Sequence, residues 1–320
     1  MVKGDPEFVT TLAAYVLEQR GQLLRPTLVL GCSLLRGATS CSATAISAGA
    51  LVELIHCASL LHDDVVDMAS FRRQRATVNA RWGNREAVLL GDYVLALVVQ
   101  LLAELGDRKV LAAGHRITRA MSVGELIEVQ HATRLDLNEE TYLEIISGKT
   151  ASLFAESCYL GGWAAGLPDV ELDHLSGFGH GVGMVYQILD DLLDVTGSAD
   201  RLGKDTARDM ANGNITLPVI RALVTGSVDL RRHLERALTD GDESFIRENL
   251  ASIVVGSGAY HYCLARAREY AESAAGRLAS LSTGCPASIV KALGEVTGYM
   301  FERLEAGGGV KGAATRTAAL

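Results

Sequence analysis

The chain is short of proline, aromatic side chains and paired cysteines, and each shortage excludes something. Only five of its 320 residues are proline, at positions 6, 26, 168, 218 and 286. The long stretches between them are therefore free to be helical. Aromatics make up 5%, which argues against a sheet-rich sandwich, because strands favour aromatic and β-branched residues. The six cysteines (Cys32, Cys41, Cys57, Cys158, Cys263 and Cys285) form no CxxC pair, so buried free thiols in a reducing cytosol are expected over zinc sites or disulfides. Basic blocks are missing too, and with a net charge of −8 nucleic acid is not an expected partner. Met1 to Pro6 lacks the apolar core of a secretory signal. The longest apolar run, Ala87 to Leu102, is interrupted by Gly91, Asp92 and Gln100 and falls short of the roughly 18 uninterrupted apolar residues of a membrane span. A cytoplasmic protein without a transmembrane segment is the expectation.

What is present is apolar and helix-forming. Hydrophobic residues make up 48% of the chain and mean hydropathy is +0.19, ample for a large core. The pattern predicts a segment from Leu28 to Leu35, one long helix from Ala43 to Asp67, and helices over Arg85 to Leu105 and Lys109 to Thr133. Another begins at Asn138, with Glu139 and Glu140 favoured by the dipole of its first turn. Ser147 to Trp163 continues it after a Gly148 interruption. Leu172 to Asp194, Leu230 to Leu238, Tyr260 to Leu281 and Ser288 to Leu304 follow. Phe71 to Gly83 and Gly197 to Asn214 read as loops. No linker divides the chain, so the expectation is an all-α, single-domain antiparallel helical bundle over residues 1–305, with 306–320 a disordered tail.

Two acidic clusters of one form stand out, Asp63-Asp64-Val65-Val66-Asp67 and Asp190-Asp191-Leu192-Leu193-Asp194. Carboxylates at i, i+1 and i+4 put the first and last on one helical face. A single such run is a weak signal that a solvated helix end also satisfies. Two copies, each closing a long apolar helix, are harder to dismiss, because charges on buried helices are costly unless paired or metal-bound. Mg²⁺ takes oxygen ligands from a few carboxylates together with substrate phosphates.

Cations accompany these clusters. Arg72, Arg73 and Arg75 follow the first cluster and suit bidentate phosphate contacts, although a basic loop neutralising nearby aspartates would look the same. Lys149 with Thr150, and Lys204, are isolated cations beside Gly148 and Gly203. Arg25 precedes Pro26, and His56 lies seven residues before Asp63.

This ensemble resembles the trans-isoprenyl diphosphate synthases, the polyprenyl synthetase family, of geranylgeranyl or long-chain type. The resemblance runs from about Gly21 to Pro218. It is carried by Val52-Glu53-Leu54-Ile55-His56, the first Asp motif, Arg72-Arg73 and Gly91-Asp92-Tyr93. It continues through Lys149-Thr150-Ala151, Tyr186-Gln187-Ile188-Leu189 with the second Asp motif, Gly203-Lys204, Asp209 and Thr216-Leu217-Pro218. It implies a bundle around a deep central cavity and an enzyme joining isopentenyl diphosphate to an allylic prenyl diphosphate. By that similarity Asp63, Asp64, Asp67, Asp190, Asp191 and Asp194 bind three Mg²⁺, and with Lys149 and Lys204 they form the catalytic set. Arg72, Lys149, Thr150, Gln187 and Lys204 contact the allylic substrate, while Gln22, Arg25, His56 and Arg73 stand at the isopentenyl diphosphate site. Loss of diphosphate leaves an allylic cation that the homoallylic double bond attacks before a proton departs to the diphosphate itself.

Several positions depart from the family pattern. Gln22 and Asn214 stand where the family has lysines, each a loss of roughly 1.5–3 kcal/mol if a charged hydrogen bond is involved. Gln74 replaces a usual glycine and Ala76 a usual proline, and the sequence begins only about twenty residues before the Gly21 motif. These departures keep two rivals in view: a class I terpene synthase that ionises a prenyl diphosphate alone, and a weakly active or regulatory subunit of a heteromer. The retained Arg25, His56 and Arg73 favour the two-substrate enzyme. For chain length, Ala58 and Ser59 are small where farnesyl enzymes carry bulky aromatics, and Ile55, one turn deeper, is medium-sized. A product of C20 or longer is therefore expected. The resemblance also implies a homodimer burying helices near Arg85 to Leu102.

Overall fold

The computed structural model describes residues 5–18, 21–73, 75–197, 207–240, 243–281 and 284–307. These form an all-helical protein with one small hairpin. The first elements are α1 (Glu7–Leu17), α2 (Leu24–Ser33), α3 (Ala43–Val66), β1 (Phe71–Arg72), β2 (Arg75–Ala76), α4 (Val78–Trp82) and α5 (Asn84–Leu105). Then come α6 (Arg108–His131), α7 (Glu139–Ile146), a π-helical segment (Ser147–Ala151), α8 (Ser152–Ala164) and α9 (Asp169–Thr196). The remainder is α10 (Arg208–Ala211), α11 (Leu217–Thr225), α12 (Val228–Asp240), α13 (Glu243–Gly256), α14 (Ala259–Ala279) and α15 (Ala287–Ala306). The chain packs into two compact units. One comprises Met1–Thr118, Glu156–Asp173 and Thr283–Ile289; the other comprises Arg119–Ala155, His174–Ser282 and Val290–Leu320.

In the first unit α3 is flanked by α2 and α5. Ser42 caps it, its Oγ accepting from the Ala45 N–H at 3.1 Å, which satisfies one orphan donor of the first turn. Small residues such as Ala45, Ala48, Gly49 and Ala58 let neighbouring backbones come close, while Leu51, Val52, Ile55 and Leu61 fill the core. Leu12, Ala13 and Tyr15 of α1 join Ala58, Leu61, Val78, Ala87, Leu90 and Val94 in one buried cluster.

Both α3 and α5 are long and apolar enough to cross a membrane by length and composition, but the most apolar window is 44% buried in α3 and 22% in α5. The contrast identifies α3 as a core helix. On α5, Val88, Leu89 and Val99 are left exposed.

In the second unit α11 packs on α7, α13 and α14. Gly181 of α9 lies so close to α14 that a Cβ there would meet the Tyr270 carbonyl oxygen at 3.0 Å. The long helices stand within a few residues of their sequence-based bounds. The stretch from 71 to 83 is not a plain loop. It holds the β1–β2 hairpin, pairing Phe71 with Ala76 and Arg72 with Arg75, and α4, capped by Thr77. Its polar, arginine-rich composition hid both. Helices α1 and α13 were also missed, and Arg208–Ala211 is helical where a loop was expected. Of the disordered tail expected over 306–320, Ala306 closes α15, and the residues from 308 onward lie outside the described residues.

Candidate active site

The first acidic cluster closes α3. Asp64 is buried while Asp63 and Asp67 are partly exposed. Carboxylates at a helix C-terminus sit against the negative end of the dipole, so they need cationic partners. Arg72 supplies one, with Nε at 2.9 Å and Nη2 at 2.8 Å from the same Asp64 oxygen. Asn79 Nδ2 donates to the backbone carbonyls of Asp64 at 3.1 Å and Ala69 at 3.0 Å, tying α4 to the end of α3.

The hairpin aims the arginines. Arg73, at its turn, has φ +50°, a backbone state that costs an L residue roughly 1–2 kcal/mol. Its guanidinium covers Gly21, where an added Cβ would come within 2.6 Å of Nη2. His56, on α3, lies in the combined field of Arg25, Arg72 and Arg73. Burial first, then those three positive charges, hold its pKa well below the usual imidazole value. The Glu53 carboxyl, one turn earlier, is pushed up by burial and pulled back by Arg25 and Arg73. A neutral imidazole among guanidinium groups has the character of an anion site. Gln22 is exposed.

The second cluster closes α9. Asp191 is buried, and its carboxylate accepts from Tyr142 Oη at 2.7 Å and Gln187 Nε2 at 2.6 Å. Thr150 Oγ1 donates to Gln187 Oε1 at 2.7 Å. Burial, with Asp190 and Asp194 alongside, pushes the Asp191 carboxyl up to about 7 despite those two donors. Arg303 of α15 reaches Asp190 at 3.1 Å, and Asp194 Oδ2 accepts from the Asp209 N–H at 3.2 Å.

Lys149 sits in the π-helical segment, a local distortion often found at functional sites. Gly124 and Gly148 allow this segment to lie against α6, since a Cβ on Gly124 would be 2.7 Å from the Lys149 nitrogen. As a result Lys149 Nζ is ion-paired with Glu125, at 2.8 Å, and with Glu128. Of the expected site residues, Lys204 lies outside the described residues, as does Gln74.

Each acidic cluster by itself suits a hard divalent cation: its side-chain donors are carboxylate oxygens, and its crowded anions at a helix end call for positive charge. Among the described residues no three acidic, histidine or cysteine groups already converge as a cation cage; Arg72 holds Asp64, Arg303 holds Asp190, and Tyr142 and Gln187 hold Asp191.

Chain-length candidates divide by environment. Ala58 is 1% exposed and packed in the α1–α3–α5 cluster, and Ile55 is equally enclosed. Ser59 is half-buried, its Oγ donating to the His56 carbonyl at 2.9 Å.

A family model described as polyprenyl synthetase matches residues 6–253. The chain belongs to the polyprenyl synthetase family. It is 35% identical over 273 residues to an all-trans-nonaprenyl-diphosphate synthase (geranyl-diphosphate specific) of Rhodobacter capsulatus, covering 85% of this chain and 83% of that one. A heptaprenyl diphosphate synthase component 2 of Geobacillus stearothermophilus shares 45% identity over 172 residues, 54% of each chain. Among solved structures, the polyprenyl synthase of Caulobacter crescentus CB15, complexed with calcium and isoprenyl diphosphate, superposes with a TM-score of 0.86. It shares 32% identity and covers 93% of this chain and 90% of that one. Membership makes the protein a prenyltransferase with the family's helical fold.

Polyprenyl synthetase motifs led to the aspartates and arginines, but not to the side chains that hold them. Tyr142, Arg303, Asn79, Glu125 and Glu128 belong to no short acidic or basic motif. Only the fold reveals that they touch the candidate residues.

Proposed function

We propose that the protein condenses isopentenyl diphosphate head-to-tail with an allylic diphosphate, giving an all-trans polyprenyl diphosphate of C20 or longer. The observation that carries the reading is the His56 site: an imidazole on α3 in the field of Arg25, Arg72 and Arg73, with the Arg73 guanidinium lying over Gly21. A one-substrate terpene synthase has no use for a second anion site. In this reading Asp63, Asp64, Asp67, Asp190, Asp191 and Asp194 take up Mg²⁺ with the diphosphate, with three ions as the expected number. Bound there, Mg²⁺ would supply positive charge to the departing diphosphate.

The chain's own residues do the remainder. Arg72 and Lys149 neutralise allylic phosphate oxygens, with Lys204 assigned to the same task. Thr150 orients Gln187, whose amide holds Asp191. Arg25, His56 and Arg73 fix the isopentenyl diphosphate, and Gln22 stands beside them as a neutral neighbour. The allylic cation survives only where water is excluded from the bound substrates. The C–O bond to diphosphate breaks, a C–C bond forms, and a proton is lost, with the diphosphate as its acceptor.

The exposed apolar side of α5, with Val88, Leu89 and Val99, supports a homodimer, and a cytoplasmic location belongs to the same reading. A relative named as a component of a heptaprenyl synthase favours a second reading, in which this chain is the catalytic member of a heteromer. Incubating purified protein with Mg²⁺ and farnesyl diphosphate, with and without isopentenyl diphosphate, separates the outcomes. An elongated diphosphate is expected. A hydrocarbon or alcohol formed without isopentenyl diphosphate would overturn the proposal, and no turnover by the protein alone would favour the heteromer.

A further inference from the structure

The β1–β2 hairpin carries Arg72 in a strand and Arg73 at its turn, yet two strands of two residues cannot hold a register by themselves. Something outside the hairpin must fix it. Within the first unit, Tyr15 of α1 does so from 61 positions away in sequence. Its Oη donates to the Ala76 carbonyl at 2.7 Å. Its ring lies under the Arg75 guanidinium, 3.8 Å from carbon to centroid. Both residues of β2 are thereby gripped, one by its backbone and one by its side chain.

The grip is itself fixed. Tyr15 is buried, at 7% exposure. It meets Trp82 edge-on with centroids 4.8 Å apart and planes at 83°, and Arg81 completes the stack at 4.9 Å from the Tyr15 ring and 4.4 Å from that of Trp82. Trp82 ends α4, the helix that follows the hairpin. One aromatic side chain thus joins α1, β2 and α4.

The pairing transmits this order. Arg75 is the register partner of Arg72, and Ala76 that of Phe71. Because Arg73 sits at φ +50°, its direction depends on the strands keeping their pairing. We infer that Tyr15 is a positioning residue for diphosphate recognition, holding the hairpin in the register that presents Arg72 and Arg73. The inference rests on the proposed function, in which those arginines bind diphosphate, and it deepens that reading.

The test compares Tyr15→Phe, which keeps the ring and loses the hydrogen bond, with Tyr15→Leu, which loses both. Steady-state kinetics should show KM for isopentenyl diphosphate rising roughly threefold for Tyr15→Phe, the effect of one net hydrogen bond. For Tyr15→Leu the rise should be about tenfold or more, since the cation–π contact goes too. In both variants kcat should fall by less than KM rises, because Arg73 acts in binding while Arg72, on the same hairpin, is held by Asp64 as well. Titration with inorganic pyrophosphate in metal-free buffer should show the same order of weakening, with unchanged far-ultraviolet circular dichroism. An unchanged KM in Tyr15→Phe and Tyr15→Leu, or a fall in kcat alone, would overturn the inference. Should Tyr15→Leu not fold, Tyr15→Phe decides by itself. If the wild type fails to elongate any allylic diphosphate, the proposed function falls, and the pyrophosphate titration still judges Tyr15.

Discussion

Arg72 places both Nε and Nη2 on a single oxygen of Asp64, at 2.9 and 2.8 Å. The other carboxylate oxygen is thereby left for a different partner. The Asp64 side chain is 8% exposed and that of Arg72 32%, so the carboxylate, not the guanidinium, suffers if the pair is broken. Breaking a fully buried pair costs several kcal/mol, and the exposure of Arg72 reduces that. Arg72→Met should lower unfolding stability by about 1–3 kcal/mol in metal-free buffer. Part of the loss should return when Mg²⁺ and pyrophosphate are added together. Urea unfolding under both conditions measures it, and equal stability of variant and wild type without metal would refute the argument.

Lys149 offers the next case. Its ammonium is held by Glu125 and Glu128, so an incoming allylic diphosphate competes with two carboxylates for one cation. Glu128→Gln removes one competitor and keeps a hydrogen-bond acceptor. We expect KM for the allylic substrate to fall by roughly threefold to tenfold, corresponding to about one charge-assisted hydrogen bond. KM for isopentenyl diphosphate should not change. A rise in the allylic KM would mean that the glutamates orient Lys149 for the substrate and do not restrain it.

The sequence disclosed the long helices because their apolar runs are uninterrupted and their starts chemically marked. Ser42 and Asn138 cap α3 and α7 as their side chains allow. The acidic clusters were legible because three carboxylates at fixed spacing is a rare pattern on an apolar helix. The hairpin was not, since its two-residue strands are held by Tyr15 and Asp64, which lie outside them, and are flanked by the Thr77–Ala69 hydrogen bond. Nor were Tyr142 and Arg303, which reach the second cluster from 49 and 113 positions away. Long-range contacts made by single side chains leave no local periodicity to read.

His56 gives a pH signature with a definite sign. Burial and the charges of Arg25, Arg72 and Arg73 lower its folded pKa below the ordinary imidazole value. Between that folded value and about 6.5 the unfolded chain binds the extra proton. The contribution is therefore complete above about pH 6.5 and declines as pH falls below it. Glu53 on the same helix, with its raised pKa, takes up a proton on folding and partly opposes the trend. Unfolding free energies measured from pH 7.5 to 5.0 should fall more steeply for the wild type than for His56→Gln. Parallel curves would show that the imidazole is not held neutral.

Product length should respond to Ser59 and not simply to Ala58. Both are small and precede the first acidic cluster, and by sequence alone they are equivalent. The fold separates them. Ala58 is enclosed by α1 and α5 residues such as Leu12 and Ala87, and a phenyl group there must displace packed core at a cost of about 1–3 kcal/mol. Ser59 is only half-buried, with its hydroxyl turned back to the His56 carbonyl, so a larger side chain has space to extend. We therefore expect Ser59→Phe to shorten the main product by at least one isoprene unit, with stability changed by no more than about 1 kcal/mol. Ala58→Phe should chiefly lower the melting temperature. Reversed-phase chromatography of the dephosphorylated products, beside thermal melts, reads both effects. A full-length product from Ser59→Phe would remove this turn of α3 from chain-length control.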